Sequence, residues 1–318
     1  LSKLSSQEGR EDLWEKARFG YDRKKAKSSP FILLLVPGWN EVEFNSLFNN
    51  NELPEIAKLK SINGQLETIS AFPATLGPAE IPFVTGCFPG TADIPATKWY
   101  AQKIGKNNRV IQLGRYRDYK GWGGYAIDYD MNPSIKTLFQ YSRRATSIFG
   151  LVNKGCGIVR DPAFFQTNHL FLEDFASNPR KLEEDASNWL EKSLDKKVDA
   201  IVCTFPSLML ANDKNSIKKA YKSLDMFLAN LVSSLKRRHI YDKTKILLSA
   251  SWANTENHDS FDLSDFMKKK FKDPVFNEKP SFLNTDALAL TSGGGMANLY
   301  FKKDNWTATT FFEELEIN

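Results

Sequence analysis

Between residues 198 and 251 the chain spells out one supersecondary unit. "VDAIVCTF" is a short apolar run with β-branched residues, the pattern of a strand buried on both faces. The next segment, "SIKKAYKSLDMFLANLVSSLKRR", sets Ile217, Tyr221, Leu224, Leu228, Leu231 and Leu235 at spacings of 4, 3, 4, 3 and 4, which is one helical face. "KILLSAS" is then a second strand. Strand, long amphipathic helix and strand predict parallel pairing with a right-handed crossover. The N-terminal end repeats the logic: "FILLLVPGWN" carries six apolar residues, Phe31 to Val36, into Pro37-Gly38, and a short helix and a strand near 66 to 72 follow. The fold class expected is α/β and doubly wound, a mostly parallel sheet with helices on both faces.

Composition narrows the remaining classes. A chain of 318 residues, 42% hydrophobic and 25% charged, can bury a large core as one domain or two smaller ones. No apolar run approaches the roughly 18 residues a membrane span requires. The net charge of +5 is mild and spread along the chain, which gives no basis for nucleic-acid binding. Cys87, Cys156 and Cys203 cannot all pair and lack zinc-site spacing, so the cysteines favour a reducing compartment without naming one. Residues 1–30, "EDLWEKARFGYDRKKAKSSP" included, read as a charged arm, and 31–318 as one α/β domain with an irregular excursion at about 101–195. Within that excursion the loop at 114–130 is rich in Gly, Tyr and Arg. Arm and loop are the surfaces expected to meet protein partners.

Open parallel sheets assemble sites at the carboxyl ends of their strands. The expected tips are Pro37-Gly38-Trp39-Asn40, Phe205 to Leu208, and Ser249-Ala250-Ser251-Trp252. They carry no carboxylate, imidazole or thiolate, so they supply none of the ligands that magnesium or zinc hydrolysis requires. What they do offer is Trp39, Asn40, Ser251 and Trp252, two indoles with polar atoms between them, suited to stacking a planar or sugar ligand. His169, His239 and His258 are scattered, with Asp259 and Asp262 near the last. "SGGGMANLYF" is no phosphate loop, since no Gly-Lys-Ser/Thr follows. Asn305-Trp306-Thr307 is a glycosylation sequon.

The order of these motifs is similar to that of the type I phosphodiesterase and nucleotide pyrophosphatase branch of the alkaline phosphatase superfamily. The first strand and its turn, "FPATLGPAEIPFVTGCFPGTADIPATKWY" at 72 to 100, the unit at 198 to 251 and "SGGGMANLYF" carry the resemblance over most of the chain from Phe31. It implies an alkaline-phosphatase-like fold and names positions where metal ligands and a nucleophile would stand. Those positions hold Pro37 for a ligating Asp, Leu76 for the nucleophile, and Ala250 and Ser251 for an Asp-His pair. Pro206 to Asn212 lacks a second Asp and His, and Ala92-Asp93-Ile94 and Thr97 replace further motif residues before Trp99-Tyr100. The family's last histidine, beyond the glycine-rich strand, has no counterpart before residue 318. The expectation is a catalytically silent member with no metal or cofactor, acting as a binding or structural component. Two alternatives stand beside it: an active enzyme with Thr75 as nucleophile and Asp93, Asp213 or His258 near a metal, and a small-ligand module built on the remodelled pocket.

Overall fold

The computed structural model describes residues 30–104, 110–119, 124, 126–160, 179–254, 261–277, 287–292, 295–301 and 313. Its first half contains β1 (Phe31–Trp39), α1 (Glu41–Asn49), α2 (Pro54–Asn63), a 3-10 turn (Pro78–Glu80), α3 (Ile81–Thr85), β2 (Lys98–Ile104), β3 (Val110–Asp118), α4 (Ala126–Asp130), α5 (Leu138–Tyr141), β4 (Ala145–Ile148) and β5 (Ile158–Arg160). Then come α6 (Pro179–Asp195), β6 (Ala200–Thr204), α7 (Ser207–Leu210), α8 (Lys214–Arg237), β7 (Lys245–Ala253), α9 (Leu263–Lys270), β8 (Pro274–Phe276), β9 (Ala287–Thr291) and β10 (Ala297–Phe301). The chain divides into two units, one of residues 1–95 and 119–255 and one of 96–118 and 256–318.

The larger unit is built on a five-stranded sheet of order β5-β4-β6-β1-β7, in which every pair is parallel. β1 lies between β6 and β7, with Leu33 level with Val202 on one side and Leu247 on the other. Because side chains alternate along a strand, Ile32, Leu34 and Val36 face one layer and Leu33 and Leu35 the other. The first set joins Ile201, Cys203, Ile148 and the apolar stripe of α8 in one core. On the second face, Leu33, Leu35 and Val202 are just as fully buried. This is the doubly wound parallel α/β architecture that the hydrophobic patterns predict.

Helix α8 forms where the 4-3-4-3-4 spacing places it. Asp213 caps it, with Oδ1 accepting from Asn215 N at 2.8 Å and Ser216 N at 3.0 Å. The same helix caps a neighbour. Leu53 precedes α2 and has no side-chain acceptor, so Asp225 of α8 receives Glu55 N and Ile56 N at 3.0 and 2.9 Å.

Two expectations change at this level. The strand predicted near 66 to 72 does not form: residues 64–71 carry no helix or strand, and Leu66 and Ile69 are exposed. Only Leu66, Ile69 and Phe72 there are large and apolar, and no strand of the sheet takes the segment as a partner. The excursion at 101–195 is also more regular than its Gly-Tyr-Arg composition suggests, since β3, α4, α5, β4, β5 and the whole of α6 fall inside it. Its glycines and tyrosines hide a pairing pattern that is set across strands rather than along one. Residues 1–29, 120–123 and 125 of the arm and loop, together with His169, His258, Asp259 and Asn305, lie outside the described residues.

The smaller unit holds the antiparallel pair β2-β3 and a three-stranded sheet of order β10-β9-β8. Within it Phe266, Met267 and Phe271 pack on Ala287 and Ala289, and the Tyr300 hydroxyl accepts from Tyr100 N at 2.9 Å. Among the described residues no helix is long and apolar enough to cross a membrane.

Leu228 is fully buried on α8, while the Lys222 side chain is exposed and pairs with Glu52 at the surface. Leu228→Ala should lower unfolding free energy by about 2–5 kcal/mol through lost burial and a residual cavity. Lys222→Ala should change it by no more than about 0.5–1 kcal/mol. Urea denaturation of both variants measures the contrast, and equal losses would misplace the helix.

Candidate functional site

The carboxyl ends of β1, β6 and β7 do converge. Phe205 N donates to Leu35 O at 2.8 Å, and Gly38, at φ +78°, meets the backbone of α7 so closely that a Cβ there would stand 2.7 Å from Met209 Cα. Only glycine fits that crossing. On the other side β7 runs out of step with β1, Val36 lying level with Ala250 but Pro37 with Trp252 and Trp39 with Ala253. Pro37, Ala250 and Ser251 are therefore neighbours across this irregular end. The segment with Thr75 and Leu76, both half-buried, leads into the 3-10 turn, which lies against β7.

The residues proposed for a stacking pocket are placed differently from one another. Trp39 packs on Phe44 and Tyr221 with ring centroids 4.6 and 5.1 Å away, on the α8 side of the sheet. Trp252 is buried at the irregular end of β7 but is not part of the core cluster that Trp39 packs against. The Trp39 ring is committed to Phe44 and Tyr221 and makes no ring contact with Trp252. Asn40 is committed to structure: its backbone N–H donates to the Tyr221 hydroxyl, which donates back to Asn40 O, each at 2.9 Å, and Oδ1 caps α1 through Glu43 N. Burial pushes the Tyr221 phenol up, and its hydrogen bond to Asn40 offsets part of that rise. Ser251 is buried and its Oγ has no hydrogen-bond partner.

The residues named for an active alternative are dispersed as well. Asp213 is the cap of α8, which holds its carboxyl below the usual range through bonds to Ser216. Asp93 is exposed on a turn closed by its N–H to Gly90 O. Among the described residues no group of three or more His, Cys, Asp or Glu stands where it could hold a metal. The metal the fold family implies does not fit the donors present at the matched positions, because Pro37, Leu76 and Ala250 offer no side-chain donor and Ser251 a neutral hydroxyl.

A polar cluster that sequence patterns gave no hint of lies beside these tips. Glu80, on the 3-10 turn, accepts Leu151 N at 3.0 Å and is also bonded by Val152 N. Asp128 of α4 accepts Asn153 N at 2.7 Å and is bonded by Lys154 N. Four consecutive amides of the loop after β4 are thus held by two carboxyl groups. Lys154 Nζ donates to Asn132 O and Ile135 O, each at 3.0 Å. Loss of water dominates here: it pushes Glu80 and Asp128 up to about 7 each and Lys154 down. A third carboxyl that burial deprives of water, Glu183 of α6, accepts from the Ser207 hydroxyl at the tip of β6 and is likewise raised. Glu80 sits inside a stretch that reads as motif frame, and a single Glu between prolines carries no signal of its own burial.

With this geometry in view, the family can be stated. The family model for type I phosphodiesterase / nucleotide pyrophosphatase matches residues 32–311, and the chain belongs to that family, within the alkaline phosphatase superfamily. Among solved structures it is similar to phosphonoacetate hydrolase from Sinorhizobium meliloti 1021 in complex with phosphonoformate. The TM-score is 0.58 at 14% identity, over 91% of this chain and 73% of that one. At that identity the likeness is one of fold. No curated protein sequence matches.

Glu80 gives a pH dependence of definite sign. Its carboxyl stays protonated in the folded chain to about 7 but would ionise near 4.5 when unfolded. Between those values the folded state holds more protons, so this group's stabilisation is greatest in acid and falls as pH rises towards 7. Glu80→Gln cannot titrate. The stability of the parent relative to this variant should therefore decline by about 2–3 kcal/mol from pH 5 to pH 8, read by urea denaturation at each pH. A constant difference would place the carboxyl in water.

Proposed function

We propose that this chain is a silent member of its family, a domain that keeps the phosphodiesterase frame without metal-dependent phosphoester hydrolysis and serves as a binding or structural component. The observation that carries the reading is the chemistry of the converging tips. Hydrolysis in a two-metal site needs several anionic or imidazole ligands around each ion. Pro37, Leu76, Ala250 and Ser251 supply one neutral hydroxyl between them. The tips of β1 and β6 are also closed by Gly38 against Met209, which favours a packed end over an ion cradle. The charged arm at 1–30 and the loop at 114–130 are the surfaces this reading assigns to protein partners.

A second reading keeps a small-ligand site, favoured by the buried Ser251 Oγ with no partner at the end of β7. In that reading the ligand meets the Ser251 hydroxyl, next to Trp252 in the chain.

The experiment is elemental analysis of the purified chain together with hydrolysis of bis(p-nitrophenyl) phosphate in added zinc, manganese or magnesium. No stoichiometric transition metal and no chelator-sensitive turnover are expected. One or two metals per chain with activity abolished by chelator would overturn the silent reading.

A further inference from the structure

Arg143, Arg144, Lys196, Lys197, Lys243 and Lys245 come from three distant stretches of the sequence, and all six are exposed. The parallel sheet gathers them, because they lie within four residues of where β4, β6 and β7 begin. Those starts are level: Ala145 is opposite Ala200, Ala200 opposite Phe31, and Phe31 opposite Lys245. Backbone bonds tie the row together, Asp199 N donating to Arg144 O at 2.8 Å, Phe31 N to Asp199 O at 2.9 Å and Lys245 N to Pro30 O at 2.9 Å. Arg144 Nη1 donates to Lys196 O at 3.0 Å. From β4 to β7 is three strand spacings, about 14 Å. The amino edge of the sheet, opposite the strand tips, is therefore a level rim with cations along its length.

Nearby carboxylates do not cancel this charge. Asp199 Oδ2 accepts Arg143 N and Arg144 N at 3.1 and 3.3 Å, and Glu191 and Asp195 are taken up by Arg237 and Arg238. Among the described residues no ion pair reaches any of the six. Lys196 and Lys197 follow the end of α6, where cations suit the helix dipole. Lys245 opens a strand, and a sheet carries only a small net dipole, so that account does not extend along the whole rim. Two large apolar side chains stand next to the cations: Tyr141, two residues before Arg143, and Leu247, two after Lys245, are 57 and 47% exposed.

We propose that this rim is a docking surface for anionic phospholipid headgroups, on which the larger unit lies with its strand tips facing away. Lys and Arg side chains meet the headgroups, while Tyr141 and Leu247 reach the apolar boundary beneath them. A nucleic acid would be drawn by the same charge, but a level rim has no groove to follow a phosphate backbone, and Leu247 offers a phosphate nothing. The surface uses none of the strand tips, so it stands whichever reading of them holds.

The test is co-sedimentation of the whole chain with vesicles of phosphatidylcholine alone and of phosphatidylcholine with about 30 mol% phosphatidylserine. Association should be at least about tenfold stronger with the anionic vesicles, and it should disappear as salt rises from about 0.05 M to about 0.5 M, because exposed charges are screened. Arg143→Glu with Lys245→Glu should weaken it by about tenfold or more. Lys60→Glu with Lys219→Glu makes the same change in net charge on α2 and in the first turns of α8, away from the rim, and should weaken it by less than about threefold. Circular dichroism checks that both variants fold, and Lys243→Glu alone, a single exposed side chain, should weaken association by about threefold even where the double variant melts early. Equal association with both kinds of vesicle, or equal losses in the two double variants, would overturn the proposal. Tighter binding to a labelled DNA duplex than to the anionic vesicles, lost in the same rim variant, would overturn it in favour of nucleic acid.

Discussion

Strand β1 has a parallel neighbour on each side, and its residues Ile32 to Val36 keep at most 1% of their exposure. Five such side chains contribute on the order of 10 kcal/mol of burial, an upper figure because the unfolded chain already hides part of this surface. Shifting the register by one residue would exchange the set facing α8 with the set facing the opposite layer. Two cores therefore hold one strand in place. The position of Pro37 to Asn40, and so of the whole carboxyl edge, follows from that constraint.

The edge itself is held by polar contacts that burial makes consequential. The loop leaving β4 turns before reaching another strand, so the amides of Leu151 to Lys154 have no ladder partner. An unpaired buried N–H costs about 1–3 kcal/mol, and Glu80 and Asp128 relieve four of them. The carboxyls lose hydration in doing so, which is why their affinity for protons rises. Similar economy appears at the start of α2, where Asp225 from α8 replaces an absent local cap.

Membership of the phosphodiesterase family and the residues at its matched positions pull in different directions. The family frame survives in β1, the 3-10 turn, β6, α8 and β7, which are the elements whose packing sustains the fold. On the silent reading, the positions that would serve chemistry hold a proline, a leucine, an alanine and a serine, residues that a closely packed edge accommodates without the repulsion of clustered carboxylates. On that reading fold and chemistry separate because they rest on different residues.

The sequence by itself determined the parallel α/β class, the crossover helix with Leu224, Leu228 and Leu231 inside, and the lack of ligands at the strand tips. Each of these is written in local periodicity or in the identity of one residue after one strand. Only the tertiary structure decided that residues 64–71 stay outside the sheet, that Trp39 is packed against Phe44 and Tyr221, and that Asn40 is held by Tyr221. It alone brought Glu80, Asp128 and Asn153 together, from three segments far apart in the chain. A strand's faces alternate with a fixed period that a pattern can reveal, but register at an irregular end and the desolvation of one carboxyl depend on which distant backbone arrives beside it.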